Sequence, residues 1–324
     1  MKIMEHDAIA LGEILVDMIP FEVGDYTKVT GFSKNFGGAP FNYAIALSRL
    51  GRKVGAICSV GNDPFGKFLL ETLRKEGVDT RHVKVKQART TLAFVVRYLG
   101  GEREFFFYRK PWVETADSLI YPEDIDPGYI SSARILHVSG VILSHEPARS
   151  SVLKALEIAK GHDVYVSFDI NYRLDIWDSK EELLGVYDKA LRLSDIILIS
   201  RDEARELLKT ENPSTIADIL LKKYRPKIVA VKLGAKGAYV KQSDGAEVFK
   251  EAFKVNAVDT TGAGDAWAAG FELGMLEERD LEECVVIANA VGALSVTKIG
   301  AINALPTREQ LRVFLKKRDV SINL

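Results

Sequence analysis

The chain has 324 residues, of which 47% are hydrophobic, so it can build a large core. Its 44 lysines and arginines nearly balance 45 aspartates and glutamates, which gives a formal net charge of −1. This balance excludes the strongly basic surface typical of proteins that bind nucleic acid or anionic membranes. We therefore expect neither as a partner.

The cysteines and the apolar stretches bear on location. Cys58 and Cys284 lie in apolar surroundings, which predicts buried, reduced thiols and no disulfide or metal site. The polar run Glu5–Asp7 interrupts the segment where a signal peptide needs an apolar run. The apolar stretch 284–297 is shorter than the roughly 20 residues of a membrane-spanning helix. These observations predict a soluble, cytoplasmic protein.

Short apolar runs alternate with amphipathic helical patterns along most of the chain. Buried strands are predicted at Ile9–Leu11, Val54–Ile57, Ile135–Val138, Val164–Phe168, Ile196–Ile199 and Ile228–Val231. Helices are predicted at Phe41–Leu50, Phe65–Lys75, Ala148–Lys160, Lys180–Leu193 and Thr215–Tyr224. The alternation indicates an α/β fold, a mostly parallel sheet flanked by helices, with ligands at the carboxyl ends of the strands.

Two segments interrupt this alternation. Leu15–Phe36 has no helical period, and Thr91–Tyr108 predicts two strands around a turn at Gly100-Gly101. Together they predict a small antiparallel sheet. It forms either a lid, built from residues of about 14–36 and 90–112, or an edge hairpin of the main sheet, and the pattern alone leaves both open.

The most informative motif is the run Asp259-Thr260-Thr261-Gly262-Ala263-Gly264-Asp265, which precedes a small-residue apolar helix. Backbone N–H groups at a glycine-rich helix start converge on an anion, and the helix dipole adds positive potential. Asp265 would repel a bound phosphate unless it takes part in the reaction. A catalytic base facing a phosphoryl group in transfer fits that position, whereas a helix-start acid favoured by the dipole is the alternative.

Two other glycine-rich runs fail as nucleotide motifs. The run from Gly61 to Lys67 has P-loop spacing, but Phe68 stands where the Mg²⁺-binding Ser or Thr belongs. Gly262 and Gly264 suggest a dinucleotide fingerprint, but Trp267 occupies its third glycine position. We therefore interpret the first run as a turn leading into a helix that starts near Pro64, and we do not expect an NAD-dependent enzyme.

The first third of the chain contains candidates for ligand binding. Gly37 and Gly38 precede the first clear helix and allow close backbone approach to a ligand, and Asn42 lies on its first turn. A plain glycine turn is the alternative. Asp17 follows the first strand and could accept two sugar hydroxyls, or be a solvated loop acid.

The run from Gly37 to Asn42 and the run from Asp259 to Asp265 together resemble the two signatures of the ribokinase (PfkB-type) carbohydrate kinases. The order and separation match, and the resemblance covers the whole chain as one kinase domain, residues 1–324. It implies a ribokinase-like three-layer sandwich with a β-sheet lid, and ATP-dependent phosphorylation of a hydroxymethyl group on a small sugar. Mg²⁺, a monovalent cation such as K⁺, and a homodimer formed through the lid are implied as well.

Carried over by this resemblance, Asp265 is the catalytic base, and the backbone of Gly262, Ala263 and Gly264 forms the anion hole. Ser200-Arg201-Asp202-Glu203 lies where the family has Asn-x-x-Glu. Glu203 is therefore expected to act on Mg²⁺ through water, while Ser200 departs from the pattern. The remaining expected roles are ATP binding by Lys232, Gly234 and Gly237, adenine contact by Asn289, and monovalent-cation loops at Asp259 and Thr297–Asn303.

The sugar is indicated by weaker signals. Asn171–Trp177 resembles a stretch of 2-keto-3-deoxygluconate kinases, in which Tyr108, Arg109 and Arg173 would face a sugar-acid carboxylate or the phosphates. Fructokinase-like features are Asp17, Pro40 and the run Glu146–Ser150. D-fructose is the first choice and 2-keto-3-deoxygluconate the alternative. A nucleoside kinase and a non-catalytic sugar-binding sensor also stay open.

Overall fold

The computed structural model describes residues 4–98 and 103–323. Its strands are β1 (His6–Leu11), β2 (Leu15–Pro20), β3 (Phe32–Gly37), β4 (Val54–Gly61), β5 (Asp79–Lys86), β6 (Thr91–Arg97), β7 (Arg103–Tyr108), β8 (Ala133–Ser139), β9 (Tyr165–Asp169), β10 (Ile196–Ser200), β11 (Ile228–Lys232), β12 (Ala238–Gln242) and β13 (Glu247–Lys250).

The α-helices are α1 (Ala39–Arg49), α2 (Pro64–Lys75), α3 (Pro127–Ile130), α4 (Ala148–Gly161), α5 (Lys180–Arg192), α6 (Arg201–Leu208), α7 (Pro213–Tyr224), α8 (Ala263–Leu276), α9 (Leu281–Ser295) and α10 (Arg308–Lys316). Short 3₁₀ helices lie at Tyr26–Lys28, Ala116–Ser118, Pro122–Asp124, Gly140–Ser144, Leu174–Ile176 and Gly234–Lys236. Side-chain caps begin several helices, as at α2, where Asp63 accepts from the backbone N–H of Gly66 at 2.8 Å. The failed P-loop is therefore a helix-capping turn.

The main sheet has the strand order β13-β12-β11-β10-β9-β8-β1-β4-β5. From β11 to β5 all neighbouring strands pair in parallel, as the alternation of apolar runs and helices predicts. All six predicted buried strands and all five predicted helices are confirmed. The antiparallel strands β12 and β13 at one edge are additions that the apolar pattern did not indicate.

Helices cover both faces of this sheet and complete three layers. Along β1, Ala8 and Ala10 face a core cluster with α1, α2, α8, α9 and α10, while Ile9 and Leu11 face a second cluster with α3 to α7. Successive side chains of a strand point to opposite faces, so strands buried on both faces read as continuous apolar runs. The predicted three-layer α/β sandwich is confirmed.

A second, separate sheet has the order β3-β2-β6-β7, so the alternative of an edge hairpin on the main sheet is wrong. Its outer pairs are antiparallel and its central pair, β2 with β6, is parallel. Phe105 and Phe107 line a cavity beneath it, whereas Phe106 stacks on Phe94 at 5.3 Å between ring centroids. The predicted turn at Gly100-Gly101 lies outside the described residues.

The other predictions from composition concern thiols and membranes. Cys58 and Cys284 are both free and buried, as expected. Across residues 4–98 and 103–323, we find no helix with the length and apolarity needed to cross a membrane.

Candidate active site

A cavity of about 890 Å³ lies where the small sheet faces the carboxyl ends of the main-sheet strands. Three neighbouring strands each end on a polar residue that lines it, namely Asp169 on β9, Ser200 on β10 and Lys232 on β11. Parallel strands deliver their last side chains to a common edge, which is why open α/β sheets bind ligands there. Further lining residues include Glu13, Asp17, Gly38, Asn42, Arg173, Glu203, Gly234, Gly262, Ala263, Gly264 and Asp265.

The glycine-rich run forms the start of α8, as predicted. Gly262 is its N-cap with φ of 75°, and a Cβ there would lie 2.9 Å from the Cβ of Ala301. Only glycine fits both the left-handed backbone and this close approach. The first-turn residues Ala263, Gly264 and Asp265 all line the cavity, and N–H groups at a helix start can bind an anion; that of Ala263 also donates to the backbone oxygen of Thr260 at 3.2 Å.

Asp265 stands on the first turn of α8 and lines the cavity. Its Oδ2 accepts a hydrogen bond of 2.8 Å from the Nδ2 of Asn42, although 223 residues separate the two. Burial raises the pKa of Asp265 to about 6, against the lowering effect of the Asn42 hydrogen bond and of Lys232. A carboxylate with this pKa is ionised at neutral pH yet basic enough to accept a proton.

Gly37 and Gly38 make the turn between β3 and α1 close-packed. Gly38 has φ of 109°, and a Cβ on it would lie 2.5 Å from the backbone oxygen of Glu13. A Cβ on Gly37 would meet Oδ2 of Asp17 at 2.6 Å. Gly38 lines the cavity, while Gly37 lies behind it and makes room for Asp17.

Two carboxyl groups line the wall of the cavity opposite α8. Asp17 on β2 is 4% exposed, and burial followed by repulsion from Asp259 and Asp265 raises its pKa to about 8. Glu13 is also buried, and burial raises its pKa to about 8. Glu13 was not predicted. Its only sequence signal is an acid two residues beyond the first buried strand.

Lys232 and Asp169 form an ion pair on the wall next to α8. Nζ of Lys232 donates to Oδ2 of Asp169 at 2.6 Å. Burial alone would lower the pKa of Lys232, but Asp169 and Glu203 raise it above its usual range. Among the described residues, Oδ1 of Asp169 has no hydrogen-bond partner. Asp169 was missed because the predicted strand ended one residue earlier.

Ser200 and Glu203 form a reciprocal cap at the start of α6. Ser200 Oγ accepts from the backbone N–H of Glu203 at 3.2 Å, and Glu203 Oε2 accepts from that of Ser200 at 2.7 Å. Glu203 Oε1 also accepts from the backbone N–H of Tyr172 at 3.0 Å. The serine thus serves as a helix cap. A carboxylate whose oxygens already hold two backbone donors fits an indirect, water-mediated role toward Mg²⁺, which stays a prediction.

Several predicted residues lie elsewhere. Asn289 does not line the cavity. Its Oδ1 accepts from Trp267 Nε1 at 2.8 Å, and its Nδ2 donates to the backbone oxygens of Lys250 and Glu251. Its amide is thereby committed to joining α9 and β13, so the expected adenine contact is not supported. Gly237, also outside the lining, has φ of 106° and turns the chain against Lys250.

Of the three residues predicted to face a sugar-acid carboxylate or the phosphates, one lines the cavity and two do not. Arg173 lines the cavity and donates to the backbone oxygen of Tyr172 at 2.8 Å. Arg109 is fully buried outside the lining and lies 3.4 Å from Asp117, and Tyr108 is 54% exposed on an adjoining groove. In this structure, therefore, neither Tyr108 nor Arg109 faces the cavity as predicted.

Asp259 joins two loops beside α8. Its Oδ1 accepts from the backbone N–H of Thr261 and its Oδ2 from that of Gly300, each at 2.8 Å. The two segments expected to hold a monovalent cation are thus brought together. The cation itself stays a prediction.

A buried carboxylate at a helix start that can bind an anion, opposite two carboxyl groups and beside a lysine, is the arrangement expected of a phosphotransferase site. The model of the pfkB family of carbohydrate kinases matches residues 5–308, and the chain belongs to this family. It is 38% identical to a probable fructokinase-4 of Arabidopsis thaliana, over 95% of this chain and 96% of that one. Fructokinase-1 of Zea mays is 37% identical, over 95% and 97%.

Solved structures of similar proteins agree with this family assignment. A Vibrio cholerae fructokinase with bound fructose, ADP and calcium ion superimposes with a TM-score of 0.85 at 33% identity, over 95% of this chain and 98% of that one. A Xylella fastidiosa fructokinase with bound ATP gives a TM-score of 0.85 at 28% identity, over 97% and 99%. The chain is an ATP-dependent carbohydrate kinase.

Proposed function

We propose that this kinase transfers the γ-phosphoryl group of ATP to the primary hydroxyl of D-fructose, with Asp265 as the catalytic base. The observation that carries the proposal is the buried Asp265 carboxylate, held by Asn42 at the glycine-rich start of α8 inside the cavity. The base therefore stands beside the helix N–H groups that can hold the transferring phosphoryl group.

The chemistry needs one proton transfer and one displacement at phosphorus. Asp265 takes the proton of the sugar hydroxymethyl group while its oxygen forms a bond to the γ-phosphorus. The bond from that phosphorus to the β-phosphate oxygen breaks, and ADP leaves with the electron pair. The N–H groups of the run Gly262–Gly264 and the Lys232 ammonium offset the negative charge that develops. Mg²⁺, when bound, neutralises phosphate charge.

Two observations support a neutral sugar. The relatives at 37–38% identity are named fructokinases, and one similar structure contains fructose. Asp17 and Glu13, with pKa values raised to about 8, present protonated carboxyl groups that can exchange hydrogen bonds with sugar hydroxyls. When ionised, they would repel the carboxylate of a sugar acid. Arg173 is the one predicted cation on the sugar side that lines the described cavity.

The test is a substrate panel with ATP and Mg²⁺, read as ADP formation: D-fructose, 2-keto-3-deoxygluconate and adenosine. We expect the highest kcat/KM with D-fructose. A strong preference for the sugar acid or the nucleoside would refute the assignment of substrate. Asp265→Asn should lose several orders of magnitude in kcat and keep sugar binding. Sugar binding without turnover by the unmodified protein would instead indicate a sensor.

Three further expectations rest on the family resemblance: a homodimer through the small sheet acting as a lid, activation by K⁺, and a cytoplasmic location. The aromatic surface of the small sheet supports the first, because Phe94, Phe106 and Tyr108 pack against one another there, and Phe106 and Tyr108 are exposed. Light scattering of the purified protein tests the dimer, since a monomeric mass would contradict it.

A further inference from the structure

Helix α8 carries a second acidic side chain, Glu272, in a stretch that is otherwise apolar. Glu272 is fully buried. Its Oε2 accepts from the Tyr43 hydroxyl at 2.6 Å, and its Oε1 accepts from the Ser167 hydroxyl at 2.6 Å and lies 3.1 Å from Nδ1 of His137. This cluster of four polar side chains joins α8 to α1, β8 and β9.

Burying such a cluster of polar side chains in the core of a protein costs free energy. Removing a carboxylate from water costs several kcal/mol before its hydrogen bonds offset the loss, and an apolar side chain of similar size is often as stable. Stability alone therefore does not account for Glu272. Buried polar groups of this kind are retained in some proteins because they fix one packing arrangement.

The position of Glu272 suggests which arrangement is fixed. It follows Asp265 by seven residues, which is nearly two full turns or about 10.5 Å of helix, so the two carboxylates lie on the same side of α8. Each is bonded to α1, and their donors there, Asn42 and Tyr43, are neighbours in sequence. Helix α1 thus holds α8 at two separate points.

On its α9 side, α8 is held near Asp265 by Trp267, which is buried and whose Nε1 donates to Oδ1 of Asn289 at 2.8 Å. The neighbouring Ala266, Ala268, Ala269 and Gly270 are buried and small, and their side chains have no hydrogen-bonding groups. Toward α1 and β9, directional hydrogen bonds run from Asn42 to Asp265 and from Tyr43 and Ser167 to Glu272. Glu272 therefore constrains α8 on the side that carries Asp265.

We propose that Glu272 is a positioning residue, which acts through Tyr43, Ser167 and His137 to hold Asp265 at reacting distance from the sugar hydroxyl. The inference rests on the proposed function, since it assigns Asp265 the role of base. Displacement of a catalytic group by about 1 Å can cost about 100-fold in rate, so a modest shift of α8 would be measurable.

The experiment compares Glu272→Gln and Tyr43→Phe with the unmodified protein, at saturating D-fructose and ATP. We expect kcat to fall about 10- to 100-fold in Glu272→Gln and about 10-fold in Tyr43→Phe. KM for ATP and for sugar should change less than about twofold, because neither residue lines the cavity.

Tyr129→Phe is the matched control. Tyr129 is 5% exposed and its hydroxyl donates to Asp79 at 3.2 Å, but it lies at the opposite, amino end of the sheet strands. We expect this variant to lose a similar amount of thermal stability and to keep its kcat. If Glu272→Gln does not fold, Tyr43→Phe and Ser167→Ala carry the test.

The outcomes distinguish failure of the positioning role of Glu272 from failure of the proposed function. An active unmodified enzyme with unchanged kcat in Tyr43→Phe and Glu272→Gln overturns the positioning role alone. Equal losses of kcat in Tyr43→Phe and Tyr129→Phe also overturn it, because the effect would then be general destabilisation. An unmodified enzyme that turns over no sugar overturns the proposed function and this inference together.

Discussion

Burial of Asp265, opposed by the hydrogen bond from Asn42, should set the pH range in which the enzyme works. With a pKa of about 6, Asp265 is about 91% ionised at pH 7 and about 9% ionised at pH 5. Because the base must be ionised to accept a proton, kcat/KM should fall about tenfold over that interval. An aspartate with the ordinary value of 3.8 would lose less than about a tenth of its activity.

Asn42→Ala removes a donor that favours the ionised form. A hydrogen bond to a charged group contributes about 1.5 kcal/mol, which corresponds to about one pKa unit. The acid midpoint should therefore move from about 6 to about 7. At pH 6, the ionised fraction of Asp265 would then fall from about one half to about one tenth, which is a fivefold loss.

The assay is kcat/KM for the sugar between pH 4.5 and 8.5, measured through ADP formation. Loss of a sugar contact by Asn42 would lower the whole profile, so the midpoint rather than the height decides. Asn171→Ala is the control, because Asn171 lines the same cavity but donates to Ser139 at 3.1 Å. Its midpoint should stay near 6. An unmoved midpoint in Asn42→Ala, or a midpoint near 4 in the unmodified enzyme, refutes the reasoning.

Three other changes have definite expected outcomes. Lys232→Met leaves Asp169 without its ion-pair partner and should raise KM for ATP about tenfold in steady-state kinetics. Gly38→Ala should lower the urea-derived free energy of unfolding by about 2–4 kcal/mol, whereas Gly185→Ala, with open space in α5, should raise it by about 0.5–1 kcal/mol. Because the folded-state pKa of Asp17 is raised to about 8, the stability of the unmodified protein falls as pH rises from about 4 to 8. In thermal unfolding, Asp17→Asn should therefore be more stable than the unmodified protein by about 2–5 kcal/mol at pH 8 and equally stable near pH 4.

The alternation of apolar runs and helices was sufficient to predict the three layers, because strands buried on both faces leave a local signal. The glycine-rich run and Asp265 could be found for the same reason, since a helix start with two glycines is a local pattern. The Asn42–Asp265 bond could not be foreseen, because no local signal encodes which residues 223 apart meet. Asn289 was predicted from resemblance to contact adenine; in the structure its amide bonds Trp267 and the backbone at the end of β13, which no local pattern indicates.

Strands predicted from apolar runs alone omit the polar residues at their carboxyl ends. Asp169 is the last residue of β9, and the apolar run stops at Phe168. Extending each predicted buried strand by one polar residue would have included Asp169; Lys232, which also ends its strand, was named only through the family resemblance. Glu272 left no such signal, because an acid in an apolar helix has no partner until the chain folds.

The two walls of the cavity come from separate stretches of the gene product. Glu13, Asp17 and Asn42 line the cavity from the first 42 residues, while Asp169, Ser200, Lys232 and Asp265 line it from the second half of the chain. Under the roles proposed above, acceptor specificity can change by mutation in the first stretch while the phosphoryl-transfer residues of the second half stay the same. The hydrogen bond between Asn42 and Asp265 joins the two stretches, so any such change must keep these two side chains within bonding distance.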